Sequence, residues 1–414
     1  MTGEFLPEVS VIIPTYNRRD LLVESLGHFT RQSLPADRFE IIVADDGSTD
    51  DTKAVVESFA DRLQIKYFYQ EDQGFRAGTA RNAGARMAVA PVLIFLDTGE
   101  MAGPDFLKHH LAAYADGAHR AVIGYGYGYH YVQTQDTVRE MLDKLAPEEI
   151  VAKFHDDPAF FDVRHETWAK SDFVLPGRPM PWLTYWSLNC SVRRDDFWAV
   201  GGFDQELLGW GPEDIELGMR LHQYGVEIVL SRDAWVVASP HERDWTSNYQ
   251  DAQRNLGRML RRHPGPITEL CWGITATTTS GALFPWEDEY HALTVWQQKV
   301  RDVDVRGEIE QALRTLGPVR KVAVMGSGGQ APDALPPWSV LIDFDDELVK
   351  RAAADSGHLG YHSMGLRLPV ADKSVDAVIV TSRMSALWGR WGDLIMNELE
   401  RIAGTVHLVD GVGR

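Results

Sequence analysis

The chain has 414 residues, 44% of them hydrophobic and 24% charged, the balance of a globular protein with room for two domains. A formal net charge of −19 excludes nucleic acid or an anionic membrane surface as the main partner, because phosphate binding needs clustered Lys and Arg, while a small anionic ligand in a locally basic or metal-bearing pocket stays allowed. Cys190 and Cys271 are the only cysteines and have no paired spacing, no leader precedes the strand-like run at Val9, and no apolar run reaches the roughly 18 residues of a spanning helix, so the expectation is a soluble cytoplasmic protein without disulfides.

Residues 9–13 read as a strand that ends at Pro14. Residues 20–32 have helical spacing, with Leu21, Leu22, Ser25, Leu26 and Phe29 on one stripe. A second buried strand at 40–44 closes in the turn Asp45-Asp46-Gly47-Ser48, and Ser48 or Asp50 is placed to cap the next helix. Strands at 65–69 and 92–96 flank a helix at 78–89. This βαβα alternation with continuous apolar strands predicts a parallel, doubly wound sheet, whose ligands bind at the carboxyl ends of the strands. Residues 121–130 alternate Gly and Tyr and suit a twisted strand, whereas 140–181 read as an irregular acceptor-side loop region or lid. A compact block covers 182–241, a partly helical connection covers 264–317, and strand–helix alternation restarts after Lys321. The expected domains are 1–265, a connection at 266–316, and a small α/β domain at 317–414.

The run VSVIIPTYN at 9–17, followed by VADDGS at 43–48, resembles the opening signature of family 2 glycosyltransferases of the GT-A fold. The resemblance implies that Pro14 and Tyr16 line the uracil of a uridine diphosphate sugar and that Asp46 accepts its ring N–H. The physics agrees: an aromatic face stacks on a base, and a carboxylate in a partly dry pocket makes a strong hydrogen bond. Residues 70–86, QEDQGFRAGTARNAGAR, carry a similar Gly-Phe-Arg and Ala-Arg-Asn-x-Gly pattern. It puts Phe75 against the donor and Arg76 and Arg81 at the diphosphate, where guanidinium groups bind bidentately.

The strand at 92–96 ends in Asp97-Thr98-Gly99-Glu100, where the family usually has Asp-x-Asp to hold Mn²⁺ or Mg²⁺ on the diphosphate. The first aspartate is present as Asp97, and Gly99 replaces the second. Three readings stay open: Glu100 reaches the metal instead, Asp97 binds it directly or through water, or arginines stabilise the leaving group without a metal. The resemblance also puts His241, after the strand at 227–230, among the metal ligands.

The stretch GGFDQELLGWGPEDIELGMRL at 201–221 resembles the acceptor-side motif of β-1,4-galactosyltransferases and chondroitin polymerases, in which Trp-Gly-x-Glu-Asp opens a helix. Pro212 is expected at the first helical position. The resemblance makes Asp214 the general base and Glu213 a holder of an acceptor hydroxyl, with Trp210 an apolar floor under the acceptor and Trp186 nearby. Asp rather than Asn at 214 favours inversion of the anomeric centre.

Residues 322–329, 340–345 and 368–378 are similar to the motif order of class I methyltransferases, which implies a glycine turn at a cofactor and an acid at the end of the strand in 340–345 at ribose hydroxyls. Lacking a catalytic motif, this segment reads as a structural or oligomerising Rossmann-like domain. The functional expectation is an inverting transferase that moves a hexose-type sugar from a uridine diphosphate sugar to a hydroxyl of a secondary metabolite or small glycan. The alternatives are a non-catalytic nucleotide-sugar binding protein and a bifunctional glycosyltransferase and methyltransferase.

Overall fold

Four apolar runs form the parallel half of the first sheet: β1 (Val9–Thr15), β2 (Phe39–Asp45), β3 (Ile65–Tyr69) and β4 (Val92–Leu96). β1, β2 and β4 are buried along almost their whole length, as strands covered on both faces must be. The computed structural model describes residues 6–129, 135–241, 245–277 and 286–413, in two units, Met1–Asn255 and Leu256–Arg414.

The first sheet is completed by β5 (Glu100–Ala102), β6 (Arg120–Tyr127), β7 (Asn189–Arg193) and β8 (Glu227–Ala238), in the order β3-β2-β1-β4-β7-β6-β8-β5. β7 runs antiparallel to β4 and β6, and β5 antiparallel to β8, so the sheet is mixed but mostly parallel. With helices on both faces this is the expected GT-A architecture. β8 extends well past the predicted 227–230, because after a break in register at Gly124/Tyr125 it pairs with the second half of β6 and also carries β5. The Gly–Tyr strand is β6, and His130 lies outside the described residues.

α1 (Arg19–Phe29), α2 (Thr52–Ser58) and α3 (Ala77–Met87) correspond to the three predicted helices, and α4 (Phe106–Ala112) is a further helix that the sequence reading does not place. Leu22, Leu26 and Phe29 of α1, Val56 of α2, and Phe106 and Leu107 of α4 cover one face of the sheet. α2 starts later than either predicted cap: Asp51 occupies the N-cap position, Asp50 accepts from Thr52 N at 3.1 Å, and Ser48 accepts from Asn17 N. α3 covers the other face at close range. A Cβ on Gly84 would lie 2.7 Å from Ile12 Cγ2, so the Gly of Ala-Arg-Asn-x-Gly sets how near this helix can approach β1.

The segment expected to be irregular contains α5 (Gln135–Leu142), α6 (Pro147–Phe154) and α7 (His165–Ala169), with 3₁₀ turns at Pro158–Phe160 and Pro181–Thr184. Val138, Ile150, Phe160 and Trp168 are among its buried apolar residues, and a buried ion pair lies beside them. Arg164 Nε and Nη2 donate to the two carboxylate oxygens of Asp162 at 2.9 and 2.7 Å, and both side chains are fully buried. The guanidinium lies 4.7 Å from the Trp168 ring and 4.8 Å from the Trp186 ring. α8 (Arg194–Ala199), α9 (Glu213–Gln223) and α10 (Trp245–Arg262) follow.

The second unit has α11 (Pro266–Thr277), α12 (Trp286–Val300) and α13 (Arg306–Leu316), and thus more helix than a connecting segment suggests. They precede a wholly parallel sheet of β9 (Val322–Met325), β10 (Val340–Asp343), β11 (Leu359–His362), β12 (Val375–Val380) and β13 (Ala403–Leu408). The strand order is β11-β10-β9-β12-β13, with α14 (Asp346–Ser356) and α15 (Ser385–Ile402) completing a Rossmann-like unit.

Candidate active site

The carboxyl ends of β1 and β2 are stitched together by their turns. Thr49 N donates to Asn17 Oδ1 at 2.8 Å, and Asp45 Oδ1 accepts from Ser48 N at 2.7 Å and Gly47 N at 3.1 Å. Gly47 has φ +101° and sits so close to Asp72 that a Cβ would come within 2.4 Å of its backbone nitrogen. Asp46 is buried, accepting from Gln70 Nε2 at 2.5 Å and from Arg76 N at 2.7 Å, with the Arg76 guanidinium 3.4 Å away. Burial raises its carboxyl above the ordinary range, opposed by those same donors. Arg76 also donates to Glu71 O and Gln73 Oε1, so it braces Asp46 and the 70–76 loop. Tyr16 and Phe75 are exposed; Tyr16 is fixed by a 2.8 Å hydrogen bond to Asp72 Oδ2, and Phe75 O accepts from Gly209 N at 3.0 Å. Pro14 O accepts from Thr98 Oγ1 at 2.8 Å, which ties this corner to the end of β4.

The turn after β4 is shaped for glycine. Gly99 has φ +98°, donates to Ser25 Oγ at 2.9 Å and accepts from Ser239 N at 2.9 Å. An aspartate there would be held in a strained backbone conformation, its Cβ 3.4 Å from Leu21. Asp97 is partly exposed at the sheet end, its N–H on Leu188 O at 3.2 Å. Glu100 is buried in β5 opposite Ala238, and His241 Nδ1 lies 3.1 Å from Ser239 O. Among the described residues no three His, Cys, Asp or Glu side chains form a group that could hold an ion, so Asp97, Glu100 and His241 make no ready cage. Glu242 and Arg243 lie outside the described residues.

In the run expected to face the acceptor, Pro212 takes the N-cap position, and α9 begins one residue later than expected, at Glu213. Glu213, Asp214 and Glu216 fill its first turn, where the helix dipole favours negative charge. Asp214 Oδ2 accepts from Ser187 N at 3.2 Å, and Oδ1 from Ile215 N at 2.7 Å. Burial and then the Glu213 charge push its carboxyl up to about 7, with Arg81 and the backbone donors pulling the other way. Glu213 Oε1 accepts from Arg81, while its buried Oε2 has no hydrogen-bond partner among the described residues. Trp186 is buried and donates its indole N–H to Leu183 O at 3.0 Å; Trp210 N donates to Asp251 Oδ2 at 3.2 Å.

Arg81 lies inside the protein rather than open to solvent. It is buried, with Nη2 on Asp97 Oδ1 at 2.8 Å and Nη1 on Glu213 Oε1 at 2.9 Å, and its charged form is strengthened by both carboxylates against the cost of burial. Next to it Asn82 exchanges two hydrogen bonds with the backbone of Phe203, 2.8 and 2.9 Å, which pins the Gly-Gly-Phe turn to α3. The structure therefore brings Asp97, Arg81, Glu213 and Asp214 into one cluster, with Asp46, Tyr16 and Phe75 along the neighbouring strand ends. Sequence reasoning missed Ser187, Asn82 and Asp251, each of which acts on a partner 27 or more positions away.

Residues 10–171 match the model of glycosyl transferase family 2, and residues 171–234 that of the N-terminal domain of galactosyltransferase. Validoxylamine A glucosyltransferase of Streptomyces hygroscopicus subsp. limoneus is 42% identical over 410 residues, 97% of this chain and 90% of that one. The chain belongs to glycosyltransferase family 2. The family assignment makes it a glycosyltransferase, and the length of the match with a validoxylamine A glucosyltransferase extends through the second unit. Escherichia coli chondroitin synthase is 28% identical over 52% of this enzyme and 32% of its own length. Among solved structures, S. aureus TarS 1-349 in complex with UDP-GlcNAc is similar, with a TM-score of 0.45 and 20% identity over 65% of this chain and 71% of that one.

Proposed function

We propose that this glycosyltransferase inverts the anomeric centre as it moves a hexose, glucose in the first instance, from a uridine diphosphate sugar to a hydroxyl of a small polar acceptor such as validoxylamine A. The observation that carries the reading is Asp214: a carboxylate held by Ser187 and Ile215, raised by burial and by Glu213, at the mouth of the acceptor-side helix. A base near neutrality is suited to take a hydroxyl proton as the bond to the sugar forms, while the nucleoside diphosphate leaves from the opposite face. Glu213 Oε2, buried and without a hydrogen-bond partner among the described residues, is assigned to an acceptor hydroxyl that reaches it when the acceptor binds. The full-length relation to a validoxylamine A glucosyltransferase supports both the glucosyl donor and the small acceptor.

On the donor side Asp46 is assigned to the uracil N–H. Asp46→Ala is expected to weaken uridine diphosphate binding by about 1.5–3 kcal/mol, the worth of a hydrogen bond to a charged group, as read by calorimetry. Equal affinity of the native enzyme for uridine and guanosine diphosphates would remove the assignment.

The donor set at the end of β4 fits a divalent cation only as one carboxylate, Asp97, whose second oxygen is available; the diphosphate must bring most of the remaining oxygens. Such an ion neutralises charge on the leaving diphosphate. Uridine diphosphate is therefore expected to bind at least tenfold more tightly with Mn²⁺ than in chelator, and neither should bind well alone. Identical affinity in chelator would assign leaving-group stabilisation to the protein's own cations.

The second unit is assigned a structural role. Arg383 Nε and Nη2 occupy both oxygens of Asp343 at 2.9 Å, and Gly328 N and Asp345 N donate to the same carboxylate. Asp343, the acid at the end of β10, is thus fully engaged and buried, which speaks against its serving a cofactor ribose in methyl transfer.

A further inference from the structure

We infer that Arg81 is a positioning residue that joins the two halves of the site, locking Asp97 of the donor-side turn and Glu213 of the acceptor-side helix into one geometry. The inference rests on the reading of Asp214 and Glu213 given above. α3, which carries Arg81, starts against the acceptor side: a Cβ on Gly78 would lie 3.4 Å from Phe203 and 3.7 Å from Glu213. The guanidinium reaches both carboxylates with separate nitrogens, at 2.8 and 2.9 Å, while its carbon lies 5.4 Å from the centre of the Phe203 ring. Asn82, one residue on, fixes Phe203 itself.

Three consequences follow from that placement. Glu213 is held by one oxygen, so that its carboxylate, with Oε2 buried and without a hydrogen-bond partner among the described residues, stays in the cluster rather than rotating toward solvent. Asp97 keeps one oxygen on the protein and one for the donor side. The single positive charge also lies between carboxylates that would otherwise repel one another, Asp97, Glu213 and the adjacent Asp214. A lysine keeps the charge but offers one compact ammonium, which cannot span two carboxylates as a fork does. Arg81 therefore acts through its neighbours and touches neither reacting atom.

The test is Arg81→Lys in the full chain, with uridine diphosphate and Mn²⁺ for donor binding and validoxylamine A as the acceptor probe. Expected are a uridine diphosphate affinity within about threefold of the native value, an acceptor KM raised tenfold or more, and a lower kcat. A tenfold loss of uridine diphosphate affinity with an unchanged acceptor KM would make Arg81 a diphosphate contact and overturn the inference. So would native kcat and KM. If the lysine variant gives no cooperative thermal transition, Arg81→Gln removes the buried charge, keeps one amide donor and leaves Glu213 and Asp97 native. That variant is expected to fold and bind uridine diphosphate but to show the same raised acceptor KM; a native acceptor KM there again overturns the inference. Asp214→Asn, assayed in parallel, separates the two readings, because its normal turnover would sink the base assignment whatever Arg81 does.

Discussion

Asp214→Asn is expected to lower transfer by roughly 10² to 10⁴-fold, the usual worth of general base catalysis, with uridine diphosphate binding unchanged. The amide keeps the size of the carboxylate, and its one oxygen can still accept from Ile215 N, the shorter of the two contacts, while the 3.2 Å contact from Ser187 N is given up. What is lost is basicity. The native enzyme should show a matching pH dependence in kcat/KM. The base works deprotonated, and its carboxyl is raised to about 7, so activity should fall as pH drops through that region and level off above it. The groups that face Asp214 are Glu213 beside it on α9, Arg81 from α3, and Tyr185 and Cys190, whose own ionisations burial pushes upward. In Asp214→Asn the acid limb should disappear from whatever activity remains. Near-normal turnover in that variant would move the role to Glu213.

The second large effect concerns stability. Arg164→Met should cost the first unit about 3–5 kcal/mol, the range for removing one partner of a buried ion pair, because Asp162 would be left charged and buried. Methionine preserves much of the volume between Trp168 and Trp186, so packing alone accounts for a smaller part. The loss is read from the urea transition of the first unit, and Asp162→Asn in the same chain should recover part of it by removing the orphaned charge. A change below 1 kcal/mol in Arg164→Met would show that the pair does not organise this segment. Since Trp186 lies against the same guanidinium, the variant should also raise the acceptor KM if Trp186 forms part of the acceptor pocket.

These two residues mark the limits of what the sequence conveys. The parallel half of the sheet is legible because β1, β2 and β4 are uninterrupted apolar runs closed by turn residues, and this pattern is local. The places of Asp46, Asp97 and Asp214 at a strand end or helix start are legible because each stands within a recognisable run, while the roles assigned to them remain proposals. The segment 140–181 is not legible, since its helices are short and its buried Asp162–Arg164 pair packs on two tryptophans, one of them 22 positions beyond Arg164, which no local pattern shows. Arg81 falls between these cases. The Ala-Arg-Asn-x-Gly pattern flags it, yet the pattern gives no indication that its two partners lie 16 and 132 residues away. Gly99 shows the converse, a departure from the family pattern that the backbone explains, because the turn holds this residue at φ +98° between Ser25 and Ser239.

The most direct test of the central claim, single displacement with Asp214 as base, is the configuration of the new glycosidic bond. Transfer from α-linked uridine diphosphate glucose to validoxylamine A, followed by proton NMR of the first product formed, reads it without ambiguity. The account predicts a β-glucoside. An α-glucoside would mean retention, which one base acting opposite a departing diphosphate cannot produce, and it would contradict the assignment of Asp214.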